Sequence, residues 1–403
     1  MKYRILSLDG GGSWALIEVK ALMQLFDPDM PGRQVLSRFD LVAANSGGSI
    51  VLACLIEDMT LSQILSFFED EKQRRAIFSP TQMFKYRFAK WTRLLANYFP
   101  KYSAAKKLPA LEKVLPGRGK DCLNGITANL RSVQSGKPVH LLITSFDYDR
   151  NAATFFRSGE VKRTDWGTGA AATVTLAEAI HASANPPVTY FDGPAEIPGT
   201  TSRYWDGGLA GCNNPVLAAV AEAIGIGVPP EQIVALSVGT GRIARPLQPA
   251  DTPPSPLFQP IGKVSWHGDL EKVAGAILND PPDAASFYAH LMTGSGAGLE
   301  ATLPDGRPVD SRIVRMNPLM SPVPQDGKWK APGDLTDGQF GFLVNLNLDA
   351  IHPCEVNAIT HYADLWLADQ APNQPVRMDG ATLTCEIGQA SFKDALAAWK
   401  VLQ

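Results

Sequence analysis

Tyr3-Arg4-Ile5-Leu6-Ser7-Leu8-Asp9-Gly10-Gly11-Gly12-Ser13-Trp14-Ala15-Leu16-Ile17 sets a short apolar run against three consecutive glycines and the start of an amphipathic stretch. By period, Tyr3 to Leu8 reads as a buried strand, Gly10 to Gly12 as the turn after it, and Ala15 to Phe26 as a helix. Strand, glycine loop and helix in that order form the unit of a parallel sheet, whose strand ends are where ligands are met. A second unit follows, with Phe39 to Ala44 as strand, Asn45 to Gly48 as turn and Ser49 to Met59 as helix. Further strands are expected at Val139 to Phe146, Ala153 to Phe156, Ser202 to Trp205 and Ile233 to Val238, with helices at Leu176 to Ser183 and Pro215 to Ile224. This alternation predicts a mostly parallel sheet covered on both faces.

After Gly241 the composition shifts. Pro246 to Pro260 is proline-rich and reads as a linker or surface loop, followed by expected helices around Lys263 to Ile277 and Asp283 to Met292, a strand near Arg312 to Met316 and a last helix at Lys393 to Leu402. Residues 1–245 are therefore read as the core and 246–403 as a mostly helical C-terminal extension packed on it.

Composition narrows the function classes. A formal charge of -3 gives no global pull toward nucleic acid. The five cysteines, Cys54, Cys122, Cys212, Cys354 and Cys385, are odd in number and scattered, which disfavours a disulfide framework and a zinc site. No His or Cys pair has ligand spacing, so no metal and no cofactor are expected. Met1-Lys2-Tyr3-Arg4 runs straight into a strand without the hydrophobic stretch of a signal peptide. The expectation is a cytoplasmic protein, peripheral at a membrane at most; signal-independent secretion leaves no mark in a sequence.

Three stretches carry chemistry. Asp9 to Gly12 presents unobstructed N–H groups to an anion, and the residues after Gly12 fit neither a dinucleotide nor a P-loop pattern. Ala44-Asn45-Ser46-Gly47-Gly48 places a serine on a sharp strand-to-helix turn, with the Gly47 amide aimed where negative charge would develop. Asp206-Gly207-Gly208 sets a carboxylate on a tight turn at a strand end. A serine hydroxyl needs a base and oxyanion donors to act as a nucleophile, and these stretches supply all three parts. His140, His181, His267, His290, His352 and His361 lack the context of a Ser-His-Asp hydrolase and are read as structural or solvent-exposed.

In this order the stretches resemble the patatin-like phospholipase family, which carries Asp-Gly-Gly-Gly-x-Arg-Gly, a Gly-x-Ser-x-Gly elbow and Asp-Gly-Gly/Ala. Ala182-Ser183-Ala184-Asn185-Pro186-Pro187, Asn213-Asn214-Pro215 and Leu236-Ser237-Val238-Gly239-Thr240-Gly241 are similar to its supporting segments, so the resemblance spans about residues 3 to 241. It implies a three-layer α/β/α fold with a helical C-terminal elaboration, and a calcium-independent Ser46–Asp206 dyad. Backbone groups of Gly10, Gly11, Gly12 and Gly47 would hold the oxyanion while a glycerolipid ester is cleaved. Ala44 stands where the elbow usually has its first glycine, and Trp14 where the family usually has arginine, which shifts the expected substrate toward a neutral glycerolipid or lysolipid ester.

Between Met83 and Lys107, cations including Lys85, Arg87, Lys90 and Arg93 interleave with aromatics including Trp91, with no acidic residue. Such a pattern suits an anionic membrane surface, so a lid or cap over residues 78–120 is expected, with Lys85, Arg87, Lys90, Trp91 and Arg93 facing lipid. The same pattern also fits a packed helix pair with a solvated basic face. Two other functions remain open: a catalytically silent lipid or acyl-chain binder, and a phosphate or nucleotide site at Gly10 to Gly12. An activator-dependent lipase effector is a variant of the first reading. Oligomeric state is not legible.

Overall fold

Alternate residues of the central strands leave the sheet in opposite directions. Leu6, Leu8, Val42, Ala44, Val234, Leu236 and Val238 join one hydrophobic cluster; Ile5, Leu41, Ala43, Ile233 and Ala235 join another. Period-two alternation with both sides apolar is what a parallel strand buried on both faces requires. The computed structural model describes residues 1–79, 100–159, 174–187, 190–261, 281–380 and 382–403.

In chain order the strands are β1 (Tyr3–Leu8), β2 (Leu41–Ala44), β3 (His140–Asp147), β4 (Ala152–Arg157), β5 (Ala195–Glu196), β6 (Arg203–Asp206), β7 (Ile233–Val238), β8 (Arg242–Ile243) and β9 (Ile313–Met316). The main sheet runs β5-β6-β3-β2-β1-β7-β9, with β4 paired to β3. The pairs β3-β2, β2-β1, β1-β7 and β7-β9 are parallel. β4 and β6 run antiparallel to β3, and β5 antiparallel to β6. The short β8 lies outside this sheet and pairs with Leu319–Met320.

The first cluster is covered by the helices Leu16–Leu22, Ser46–Ile56, Pro353–Leu367 and Phe392–Leu402. Trp399 stacks on Phe39 at 6.0 Å, and Trp366 meets Phe392 edge-on at 4.6 Å. The other face is covered by Val216–Gly225 and Pro281–Met292. The result is a three-layer α/β/α fold.

Two helices differ from the sequence reading. The helix expected over Ala15 to Phe26 is shorter, Leu16–Leu22, because Gly12–Ala15 wind as a 3-10 turn. The helix expected from Ser49 begins at Ser46 itself. Beyond residue 245, the strand expected near Arg312 to Met316 is β9, which joins the main sheet with Ile313, Val314 and Met316 buried. The helix expected at Lys263 to Ile277 lies outside the described residues.

Candidate active site

The sheet register brings the three stretches to one edge. Leu8 lies opposite Ala44, and Ala44 opposite Ile143, so the Asp9 loop and the Ser46 turn leave neighbouring strands at the same level. β3 continues past that level, and β6 returns along it with Asp206 opposite Ser145. Residues far apart in sequence thereby converge.

Ser46 adopts φ +45, a conformation few non-glycine residues hold. This sharp turn lets the helix start at the serine itself. The Ser46 amide donates to Ser183 Oγ at 3.0 Å, and the Ser46 side chain lies near enough to the Asp206 carboxylate to favour its charged form. A side-chain Cβ at Gly47 would lie 2.6 Å from Gly12 O, so the turn and the glycine loop pack backbone to backbone. Ala44 accommodates its methyl within the core and is fully buried.

Asp206 is buried, and its Oδ1 accepts from the Gly208 amide at 2.8 Å and from Asn45 Nδ2 at 3.2 Å. Asn45 is held in turn by Thr144, whose hydroxyl donates to Asn45 Oδ1 at 2.7 Å. Burial pushes the Asp206 carboxyl above the ordinary range, while bonds from Ser46, Gly208 and Asn45 and the charge of Lys107 pull it back. The outcome is a carboxylate more basic than a solvated one, as a general base needs.

The glycine loop is anchored at its first residue. Gly10 N–H donates to Asn213 O at 2.8 Å and Gly10 O accepts from Thr240 Oγ1 at 2.7 Å. The Gly10 amide is thus already engaged. The amides of Gly11, Gly12 and Gly47 have no acceptor among the described residues. Asp9 points to the rear, where Arg315 grips both its oxygens at 3.0 and 2.5 Å.

A strap from the C-terminal region crosses the mouth of the site. Ser13 N–H donates to Leu348 O at 2.9 Å, Ser13 Oγ to Asp349 O at 2.5 Å and Trp14 Nε1 to Asn347 O at 3.1 Å. Three successive carbonyls are therefore pinned to the glycine loop, and Trp14 is buried. On the far side of the strap, Asp349 accepts from Tyr102 Oη at 2.5 Å and pairs with Lys101 at 3.1 Å. The pocket above Ser46 is lined by Gly12, Gly47, Ile50, Ile77, Phe78 and Leu348, among others, with no charged side chain among its described residues. Its free space is about 20 Å³, little more than a water molecule occupies.

The described end of the basic-aromatic segment is mixed, with Lys106 exposed and Lys101 half-buried. Tyr102 and Lys107 are buried, because both reach polar partners inside the fold. Lys85, Arg87, Lys90, Trp91 and Arg93 lie outside the described residues. Of the histidines, His181 is buried and held neutral, its pKa driven down to about 3 by burial and then by Lys107. His140 bonds Glu222 and His290 bonds Ser311. No described histidine hydrogen-bonds Ser46 or Asp206, and no metal-binding cluster occurs among the described residues. No described helix is long and apolar enough to cross a membrane.

The supporting network of Asn45, Thr144, Ser183, Asn213, Arg315 and Leu348 was not assigned from sequence. Asn45, Ser183 and Asn213 sit in segments the sequence singles out; Thr144, Arg315 and Leu348 carry no local signal.

No curated protein matches the chain. Among solved structures, VipD from Legionella pneumophila is 11% identical, with 90% of this chain and 67% of that one covered and a TM-score of 0.35. Human GIVD cytosolic phospholipase A2 is 20% identical over 39% of this chain and 22% of that one, TM-score 0.24. The type III effector ExoU is 11% identical over 73% and 54%, TM-score 0.24. At such TM-scores none bears on the reading of the site. The family model described as patatin-like phospholipase matches residues 6–220. That stretch is more than half the chain and contains Asp9 to Gly12, Ser46 and Asp206: the protein belongs to the patatin-like phospholipase family.

Proposed function

We propose that the protein is a lipid acyl hydrolase that cleaves carboxylic esters of glycerolipids through Ser46 and Asp206. The observation that carries this reading is Ser46, on a positive-φ turn, set beside the buried Asp206 carboxylate, which Gly208 and Asn45 hold in place. Asp206 takes the hydroxyl proton as Ser46 Oγ attacks the ester carbonyl. The amides of Gly11, Gly12 and Gly47 receive the oxyanion, a contribution of about 3–4 kcal/mol per well-placed donor. Collapse expels the alcohol, which leaves with the proton from Asp206. Water, deprotonated by Asp206, then attacks the acyl carbonyl, and Asp206 returns the proton to Ser46 Oγ as the fatty acid leaves.

The uncharged pocket and buried Trp14 favour a neutral glycerolipid or lysolipid ester over a phosphorylated headgroup. Lys85, Arg87, Lys90, Trp91 and Arg93 are proposed, from the sequence pattern, to meet anionic lipid. The test is fatty-acid release from short-chain esters and from neutral and phosphorylated lipids, comparing the native chain with Ser46→Ala and Asp206→Asn. Loss in both variants supports the dyad. A native chain inactive on every ester returns the reading to a silent acyl-chain binder.

A further inference from the structure

Lys107 is fully buried on the helix Ala104–Val114, at 0% exposure. Its Nζ donates to His181 O at 3.2 Å and to Ala184 O, and sits 4.6 Å from the centre of the Phe191 ring. The carbonyls it gathers end the helix Leu176–Ser183, where a cation also meets the negative end of the helix dipole. That same helix end holds both members of the dyad. Ser183 Oγ accepts the Ser46 amide at 3.0 Å, and Asn185 O accepts the Asp206 amide at 3.1 Å.

We infer that Lys107 is a positioning residue of the catalytic dyad, a buried cation that fixes the chain from His181 to Asn185 and thereby the backbones of Ser46 and Asp206, with its charge acting on the Asp206 carboxylate. This rests on the Ser46–Asp206 reading. A lysine is rarely buried without a carboxylate in direct contact. Here carbonyls and a ring solvate it, leaving its field free to act on Asp206.

The groups that face it bear this out. Asp206 on β6 raises the Lys107 pKa, and burial, the larger effect, lowers it to about 7. His181 feels the charge as a further downward push. On the packed helix Glu71–Ile77, Arg74 is turned away to Phe68 O and Ile351 O. Influence between Lys107 and Asp206 is reciprocal: the cation lowers the Asp206 pKa, and the anion raises that of Lys107.

Two experiments test this. In Lys107→Met, which keeps the length of the side chain without its charge, kcat falls by up to about a hundredfold, and the acid limb of kcat/KM moves to higher pH because Asp206 loses its cation. A change of packing alone lowers activity without moving that limb, and an unmoved limb overturns the inference. The second experiment needs neither that variant nor any activity. In the native chain labelled with ¹³C at lysine Cε, one lysine titrates near neutrality, and in Asp206→Asn its midpoint falls further. A midpoint that stays in place, or the absence of any lysine titrating below the ordinary range, overturns the inference. Failure of the ester assays with the native chain would instead remove the proposed function, leaving the lysine titration to be judged by itself.

Discussion

Arg315 closes on both carboxylate oxygens of Asp9, at 3.0 and 2.5 Å, across 306 positions of sequence. Both side chains are buried, and Arg315 also donates to Ser237 Oγ at 2.8 Å. The pair fastens the root of the glycine loop to β9, a strand from the far end of the chain. Removing one partner leaves the other charge buried and unpaired. Arg315→Met is therefore expected to cost about 3–5 kcal/mol in urea unfolding. Adding Asp9→Leu to it should restore much of that loss, since an apolar pair of matching volume avoids the stranded charge.

The elbow tolerates change unevenly. A Cβ at Gly47 would meet the backbone of Gly12 at 2.6 and 2.7 Å, so Gly47→Ala must separate the turn from the glycine loop. The expected loss is about 100-fold or more in kcat, the scale of a lost oxyanion donor. Ala44→Gly, by contrast, changes a residue in regular strand geometry, and about 0.5–1 kcal/mol of stability is expected to go while most activity remains. Steady-state kinetics and thermal unfolding on the two variants separate these outcomes.

Leu348 is the part of the strap that enters the pocket above Ser46. Leu348→Ala leaves the three carbonyl contacts of the strap in place but widens the acyl space. The account expects preference to move toward longer acyl chains, read as kcat/KM across a series of esters. An unchanged profile would mean that chain length is set elsewhere.

Glu18 is fully buried on the helix Leu16–Leu22. Burial first, and the Asp9 carboxylate second, push its carboxyl well above the ordinary value of 4.5. The folded form therefore keeps its proton in a pH range where the unfolded chain has lost it, and native stability declines as pH rises through that range. Glu18→Gln removes this penalty. The variant should match the native chain in stability below the ordinary carboxyl range, gain on it as pH rises, and level off above the folded pKa of Glu18. Denaturant melts across pH would show this divergence.

Much of the core was legible because its signals are local. Tyr3 to Leu8, Ile233 to Val238 and Leu176 to Ser183 have in the structure the boundaries expected from sequence. The convergence of Asp9 to Gly12 with Ser46 follows from neighbouring ends of parallel strands, whereas Asp206 joins them on the antiparallel β6. What sequence did not reveal depends on tertiary placement. Lys107 looked like one cation of a basic run, since nothing local tells that His181 O and Ala184 O lie above it. Arg315 and Leu348 act on partners hundreds of residues away. The helix starts at Ser46, three residues before the expected Ser49, with Ser46 itself at φ +45, a turn no local pattern encodes.

The most direct test of the central claim is mass-spectrometric mapping of the adduct formed with a serine-directed fluorophosphonate. The account predicts one phosphonylated residue, Ser46, with labelling abolished in Ser46→Ala and strongly slowed in Asp206→Asn. An adduct at another serine, or equal labelling rates with and without the Asp206 carboxylate, would contradict it.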